Sequence, residues 1–182
     1  MTDPVHSLHR GRFLELVVTP GGWEFVRRVG NPRSVGIIAL NPDRQLVLIS
    51  QYRFPIGKVC VEIPAGLAGD ADAGETWQAA ALRELREETG YTASDMEYLT
   101  YGPSSAGLAT ECILLARAIG ARKAGPPQPD GDEKIDVHEV PLPDVPAFLR
   151  QQEQLGRIID PKIYAALYFL SVATDHGPLT TD

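Results

Sequence analysis

Glu62–Tyr91 reads EIPAGLAGDADAGETWQAAALRELREETGY. The second half of this stretch predicts one amphipathic helix. Gly74 precedes it, Thr76 is placed to cap it and Gly90 to stop it, and the Ala- and Leu-rich run between them contains no proline. At about 100° per residue, Ala81, Leu82, Leu85 and Thr89 fall on one arc, which predicts a buried face. Glu84, Glu87 and Glu88 crowd a second arc. Carboxylates one turn apart repel each other and destabilise a helix. Either that arc is a solvated acidic surface, or something cationic sits over it. Arg83 is spaced to pair with Glu87 at i+4, but Glu84 and Glu88 have no comparable partner within the helix. A hard divalent cation, which prefers oxygen ligands, is the natural counter-ion.

Counted from Gly69, the residues form the pattern G-x5-E-x7-R-E-L-x-E-E-x-G-Y, carried by Gly69, Glu75, Arg83, Glu84, Leu85, Glu87, Glu88, Gly90 and Tyr91. This resembles the signature box of the Nudix hydrolases, and the wider chain resembles their ADP-ribose pyrophosphatase branch. The resemblance implies an α/β protein, a Nudix α/β/α sandwich with a mixed central sheet. It runs over roughly residues 12 to 173. There is one departure. The glycine opening the box in that branch is normally the one in a preceding L-P-A-G, and here that glycine is Gly66, three residues early. LAGDADAG (67–74) therefore reads as a loop three residues longer than usual.

Composition bounds the rest. The chain has 182 residues, of which 43% are hydrophobic and 23% charged, which suits one domain with a sizeable core. A net charge of −7 argues against a nucleic-acid groove, which needs clustered Lys and Arg. Cys60 and Cys112 lie in apolar, strand-like runs and read as reduced core residues of a cytoplasmic protein. His6, His9, His138 and His176 are scattered and show no metal-type spacing. The N-terminus has no apolar signal core and no apolar run approaches membrane-spanning length, so no membrane partner is expected.

Along the chain, residues 1–11 look loose, and Phe13–Thr19 and Trp23–Arg28 read as strands around the Pro20-Gly21-Gly22 turn. Two strands alone are marginal in water, so residues 1–34 are expected to form a strand unit that packs on the 35–182 domain or on a second subunit. Val35–Leu40 and Leu46–Arg53 flank the turn residues Asn41-Pro-Asp-Arg44 and predict a core hairpin. Val59–Ile63, Met96–Thr100, Glu111–Ala118 and Ile135–Val140 read as further strands, and Pro141–Gln154 and Asp160–Thr174 as helices. GARKAGPPQPDGDEK (120–134) has too many Pro and Gly for regular structure; it is either a surface linker or a loop over the site.

The resemblance also assigns roles. Trp23, which by local sequence is equally a core or edge aromatic, matches a residue that stacks adenine from the partner subunit of a homodimer, and Arg28 matches a nearby substrate contact. Arg53, ordinarily a surface strand end, matches an Arg facing the substrate phosphates, a role suited to a planar bidentate donor. Glu62 lies close to the site. Gly107 and Leu108, in the small-residue loop Pro103–Thr110, match the terminal-sugar contact, with Ala106 replacing the family's proline. The Ala65 carbonyl, Glu84, Glu87 and Glu88 match metal ligands, with Mg²⁺ expected and Mn²⁺ its substitute, and Glu133 matches a catalytic Glu, with Glu87 as the other candidate. The implied reaction is hydrolysis of ADP-ribose to AMP and ribose 5-phosphate. Three alternatives stay open: another nucleoside diphosphate sugar such as GDP-mannose, an oxidised nucleoside diphosphate, or a binding module that senses ADP-ribose without turnover.

Overall fold

Strands β1 (His6–Arg10), β2 (Leu14–Val18) and β3 (Glu24–Arg28) form an antiparallel sheet in that order at the start of the chain. The computed structural model describes residues 4–30, 33–69, 74–129, 131 and 134–176, with side chains to 172. The expectation that residues 1–11 are loose is corrected by β1. Its five side chains are all exposed, so HSLHR carries no apolar alternation, and pairing with β2 alone makes it a strand.

Strands β4 (Arg33–Ala39) and β5 (Gln45–Arg53) follow, then β6 (Lys58–Glu62) and β7 (Ala65–Ala68). The predicted hairpin of β4 with β5 does not form. After one bridge, Leu40 to Leu46, the two strands part into different sheets. The turn itself is as its residues dictate: the Asn41 side chain accepts from Gln45 N at 2.9 Å, and Arg44 takes a positive φ of 57°. Turn chemistry reverses the chain but does not choose partners. Both strands are buried along most of their length, so each needs neighbours on both edges and cover on both faces.

Those neighbours come later in the chain. Helix α1 (Trp77–Thr89), β8 (Tyr91–Thr92), β9 (Asp95–Pro103), β10 (Cys112–Ile119) and β11 (Arg122–Lys123) precede β12 (Ile135–Pro141), α2 (Val145–Gln154), β13 (Ile158–Ile159) and α3 (Lys162–His176). One four-stranded sheet has the order β7-β4-β10-β9, with β4 and β10 parallel; the other is β12-β5-β6-β13, with β6 and β13 parallel. The mixed sheet is therefore two mixed sheets. Strand periodicity sorts the core between them. Val35, Ile37 and Ala39 pack with Ala80, Ala81 and Leu85 of α1, while Ile38, Leu46, Leu48, Val61 and Ile63 pack with Val145 and Leu149 of α2 and Ile163 and Ala166 of α3. Helices thus cover both sides, as an α/β/α sandwich requires. Among the described residues no helix is long and apolar enough to cross a membrane.

The N-terminal sheet is tied to the rest through one strand. Val26 N donates to Leu108 O at 2.9 Å, and Thr110 N donates to Val26 O at 3.0 Å. β3 is thereby fixed beside the loop between β9 and β10 of its own chain.

Candidate active site

α1 forms with the predicted ends. Thr76 Oγ1 accepts from Ala79 N at 3.2 Å, and Gly90 closes the helix at φ 72° with its N–H on Arg86 O at 2.9 Å. Its buried arc is Ala80, Ala81, Leu85, Glu88 and Thr89, with Leu82 half-buried against the same core.

Arg83 organises the acidic arc. Its guanidinium donates to Glu75 (3.0 and 3.2 Å), Glu84 (2.9 Å), Glu87 (3.0 Å) and the Leu67 carbonyl (3.1 Å). The expectation that Glu84 has no partner within the helix is corrected here, because one planar donor fork reaches both Glu84 and Glu87. Glu75, held by Arg83, has its carboxyl pulled below the usual carboxylate range. Glu84 behaves oppositely: burial pushes its carboxyl up, against the pull of Arg83. Glu84 Oε1 also takes Leu67 N at 3.3 Å, and Glu88 Oε2 takes Ala65 N at 2.9 Å. Gly66 explains how Glu84 fits. A Cβ at 66 would lie 1.9 Å from Glu84 Cδ, so the carboxyl group occupies the space a side chain would take.

These groups open on a cleft of about 340 Å³. It is lined by Ala65, Gly66, Leu67, Arg83, Glu84, Glu87 and Glu88 from β7 and α1, by Gln51, Arg53, Glu62 and Lys162 from β5, β6 and α3, and by Arg28, Ser34, Glu111, Ile113 and Pro129. Arg53 meets buried Glu62 through two bonds, Nε to Oε1 at 2.7 Å and Nη2 to Oε2 at 2.5 Å, and that pairing holds the guanidinium firmly charged. Arg28 pairs with Glu111 at the start of β10. Beside Glu62, burial pushes the Cys60 thiol up to about 12, so it packs and is no nucleophile.

The structure thus gathers Arg28, Arg53, Glu62, Ala65, Glu84, Glu87 and Glu88 into one cleft. Arg28 lines the cleft of its own chain, because Val26 docks β3 on residues 108–110. Trp23 is 63% exposed, which removes the core-aromatic alternative, and it does not line the cleft. Gly107 and Leu108 also lie outside the lining; Leu108 is 60% exposed, and its carbonyl is used by Val26. Glu133 and residues 70–73 of the longer loop lie outside the described residues. The loop after β11 is tied to α1 along its first part. Ala124 N and Gly125 N bond to Gly90 O, and Gln128 N bonds to Glu87 O at 2.7 Å, before Pro129 reaches the cleft.

Sequence reasoning missed Lys162, Glu111 and Gln51. Lys162 did leave a signal: a cation in the first turn of a helix opposes the macrodipole, which usually means another demand on that residue.

A divalent cation fits this donor set. The Ala65 carbonyl and the carboxylates of Glu84, Glu87 and Glu88 are all oxygen ligands, as hard cations prefer. For half-buried Glu84, burial outweighs the pull of Arg83 on its carboxyl, so a further positive charge would favour its ionised form. Among the described residues no three acidic, His or Cys side chains already converge as a metal cage, since Arg83 holds Glu84 and Glu87. Cation binding would redistribute those bonds.

The NUDIX domain model matches residues 30–166. A methanol dehydrogenase activator of Bacillus methanolicus is 34% identical over 94% of this chain and 92% of its own length. An ADP-ribose pyrophosphatase of Bacillus subtilis (strain 168) is 32% identical over 88% of this chain and 84% of its own. The crystal structure of an ADP compounds hydrolase superposes with a TM-score of 0.69 over 97% of this chain and 95% of that one; at 23% identity it shows a shared fold.

Proposed function

This chain belongs to the NUDIX domain family and is a Nudix hydrolase, and we propose that its reaction is hydrolysis of the diphosphate linkage of ADP-ribose to AMP and ribose 5-phosphate. The observation that carries this reading is the cleft itself, where the box carboxylates face Arg28 and Arg53 across a space of about 340 Å³. Arg53, fixed by Glu62, and Arg28 hold the diphosphate oxygens. Glu84, Glu87, Glu88 and the Ala65 carbonyl would hold Mg²⁺ or Mn²⁺, which would supply neutralisation of phosphoryl charge and acidification of water. Glu133 accepts the proton from the attacking water as the bridging P–O bond breaks, with Glu87, which lines the cleft, the next candidate. Gly107 and Leu108 meet the terminal sugar, and Trp23 stacks the adenine of a second subunit's substrate in a homodimer.

The test is a panel of nucleotide sugars with Mg²⁺, read as phosphate released by a coupled phosphatase, which acts on the products and not on ADP-ribose. ADP-ribose is expected to be the preferred substrate, with activity abolished by EDTA and restored by Mg²⁺ or Mn²⁺. Preference for GDP-mannose or an oxidised nucleoside diphosphate would reassign the substrate. Tight ADP-ribose binding without phosphate release would make the protein a sensor module.

Two further expectations arise here. Glu133→Gln is expected to lower kcat by about 10²- to 10⁴-fold with little change in KM, the usual loss for a general base. Steady-state kinetics checks this, and near-normal kcat would move the base to Glu87. Trp23→Ala is expected to raise KM for ADP-ribose by about 5- to 150-fold, the equivalent of about 1–3 kcal/mol of stacking. Mixing it with Arg53→Ala under verified subunit exchange is expected to regenerate one intact site per heterodimer. No recovery on mixing would place Trp23 in its own subunit's site or outside it.

A further inference from the structure

We propose that Lys162 is a substrate-contacting residue whose ammonium swings from Asp160 onto an anionic oxygen of the bound nucleoside diphosphate. The inference rests on the reading of this cleft as a diphosphate-sugar site and adds a residue to it. Among the described residues four cations line the cleft: Arg28, Arg53, Arg83 and Lys162. The three arginines are bonded to carboxylates that also line it, Glu111, Glu62, and the Glu84–Glu87 pair. Substrate approaching Arg53 or Arg83 meets a guanidinium already committed to several hydrogen bonds.

Lys162 is built differently. Its ammonium pairs with Asp160, which does not line the cleft. Asp160 has a second, independent role, accepting Lys162 N at 2.8 Å through Oδ1 as α3 begins. Releasing the ammonium therefore leaves Asp160 occupied as a helix cap, so the swing strands no buried charge. The lysine side chain is a flexible stem with a compact charge, suited to following a ligand that a fixed guanidinium fork cannot follow. Its place is also set by backbone. Ile158 and Ile159 pair with Cys60 and Val61 of β6, and Asp160 N bonds Val61 O at 2.9 Å, which brings Lys162 to the cleft that Glu62 and Arg53 line. Lys162 also opens α3, at the positive end of the helix macrodipole. A lysine there disfavours the isolated helix, and an anion in the cleft removes that penalty.

The experiment compares wild type with Lys162→Gln, Lys162→Arg and Asp160→Asn on whichever nucleotide sugar the wild type hydrolyses. Lys162→Gln is expected to raise KM roughly ten- to a hundredfold, as for a lost charge-assisted hydrogen bond, with kcat within a few-fold of wild type. Lys162→Arg restores part of the loss. Asp160→Asn keeps the cap, frees the ammonium and leaves KM unchanged or lower. Unchanged KM in a folded Lys162→Gln overturns the proposal. So does a KM rise matched in Asp160→Asn and accompanied by an equal fall in melting temperature in both, which makes the pair purely structural. A wild type inactive on ADP-ribose but active on another nucleotide defeats only the substrate reading. If the wild type hydrolyses nothing, calorimetric binding of inorganic diphosphate with Mg²⁺ decides instead: weaker binding to Lys162→Gln supports the contact, and equal binding rejects it.

Discussion

Glu88→Gln is expected to lower kcat by two or more orders of magnitude while the protein stays folded. Glu88 is 5% exposed, and its Oε2 accepts the Ala65 amide at 2.9 Å, so one oxygen is held beside the carbonyl proposed as a fellow ligand. The amide replacement retains an oxygen that can take that same hydrogen bond, and it removes the charge a hard cation requires. It also removes like-charge repulsion from the Glu84–Glu88 turn, so the helix gains what the site loses. Cation activation of water supplies much of the rate in such reactions, which sets the size of the effect. Kinetics at saturating Mg²⁺ together with a melting curve check both halves. An active Glu88→Gln enzyme would remove Glu88 from the ligand set.

Gly66→Ala is expected to reduce activity by about a hundredfold and to raise the Mg²⁺ concentration needed for half-maximal rate by about 10- to 100-fold, the range for disturbed metal-site support. The new methyl group would stand 1.9 Å from Glu84 Cδ and 2.1 Å from Oε1. The nearest atoms it meets all belong to the Glu84 side chain, which can turn away, so the methyl displaces a proposed ligand and leaves the backbone in place. The φ of residue 66 lies outside the left-handed region, and alanine there loses less chain entropy on folding than glycine. The melting temperature should therefore change little. Gly66→Ala combined with Glu84→Gln should be no worse than the more damaging single change, because both act through one carboxylate. Additive losses, or full activity at ordinary Mg²⁺, would show that Glu84 does not work where it packs.

α1 and its acids were legible because every signal for them is local. A cap at Thr76, a stop at Gly90 and a fixed spacing of Arg83, Glu84, Glu87 and Glu88 leave little for tertiary structure to alter. The exchange of partners between β4 and β5 was not legible. Asn41–Arg44 marks a reversal, but the strands that finally flank β4 are β7 and β10, the latter more than seventy residues on, and no local pattern encodes them. β1 was missed because its side chains are all exposed, so it has no buried face to write into the sequence. In the cleft, Arg83 was legible as a partner of Glu87 but not as the donor that also holds Glu75 and Glu84, since side-chain spacing does not say how one guanidinium fork divides among neighbouring carboxylates. Lys162 escaped for a related reason: it enters the site only once β13 has paired with β6.

The bonds that join Val26 to Leu108 and Thr110 make the first sheet and the β9–β10 loop one cooperative unit. The amides of Val26 and Thr110 are closed by each other's segments, so neither can exchange with solvent unless the seam opens. Whatever stiffens the first sheet slows opening of that loop, and whatever orders the loop stiffens the sheet by the same free energy. Opening of the first sheet and opening of the β9–β10 loop are therefore thermodynamically linked through two peptide groups.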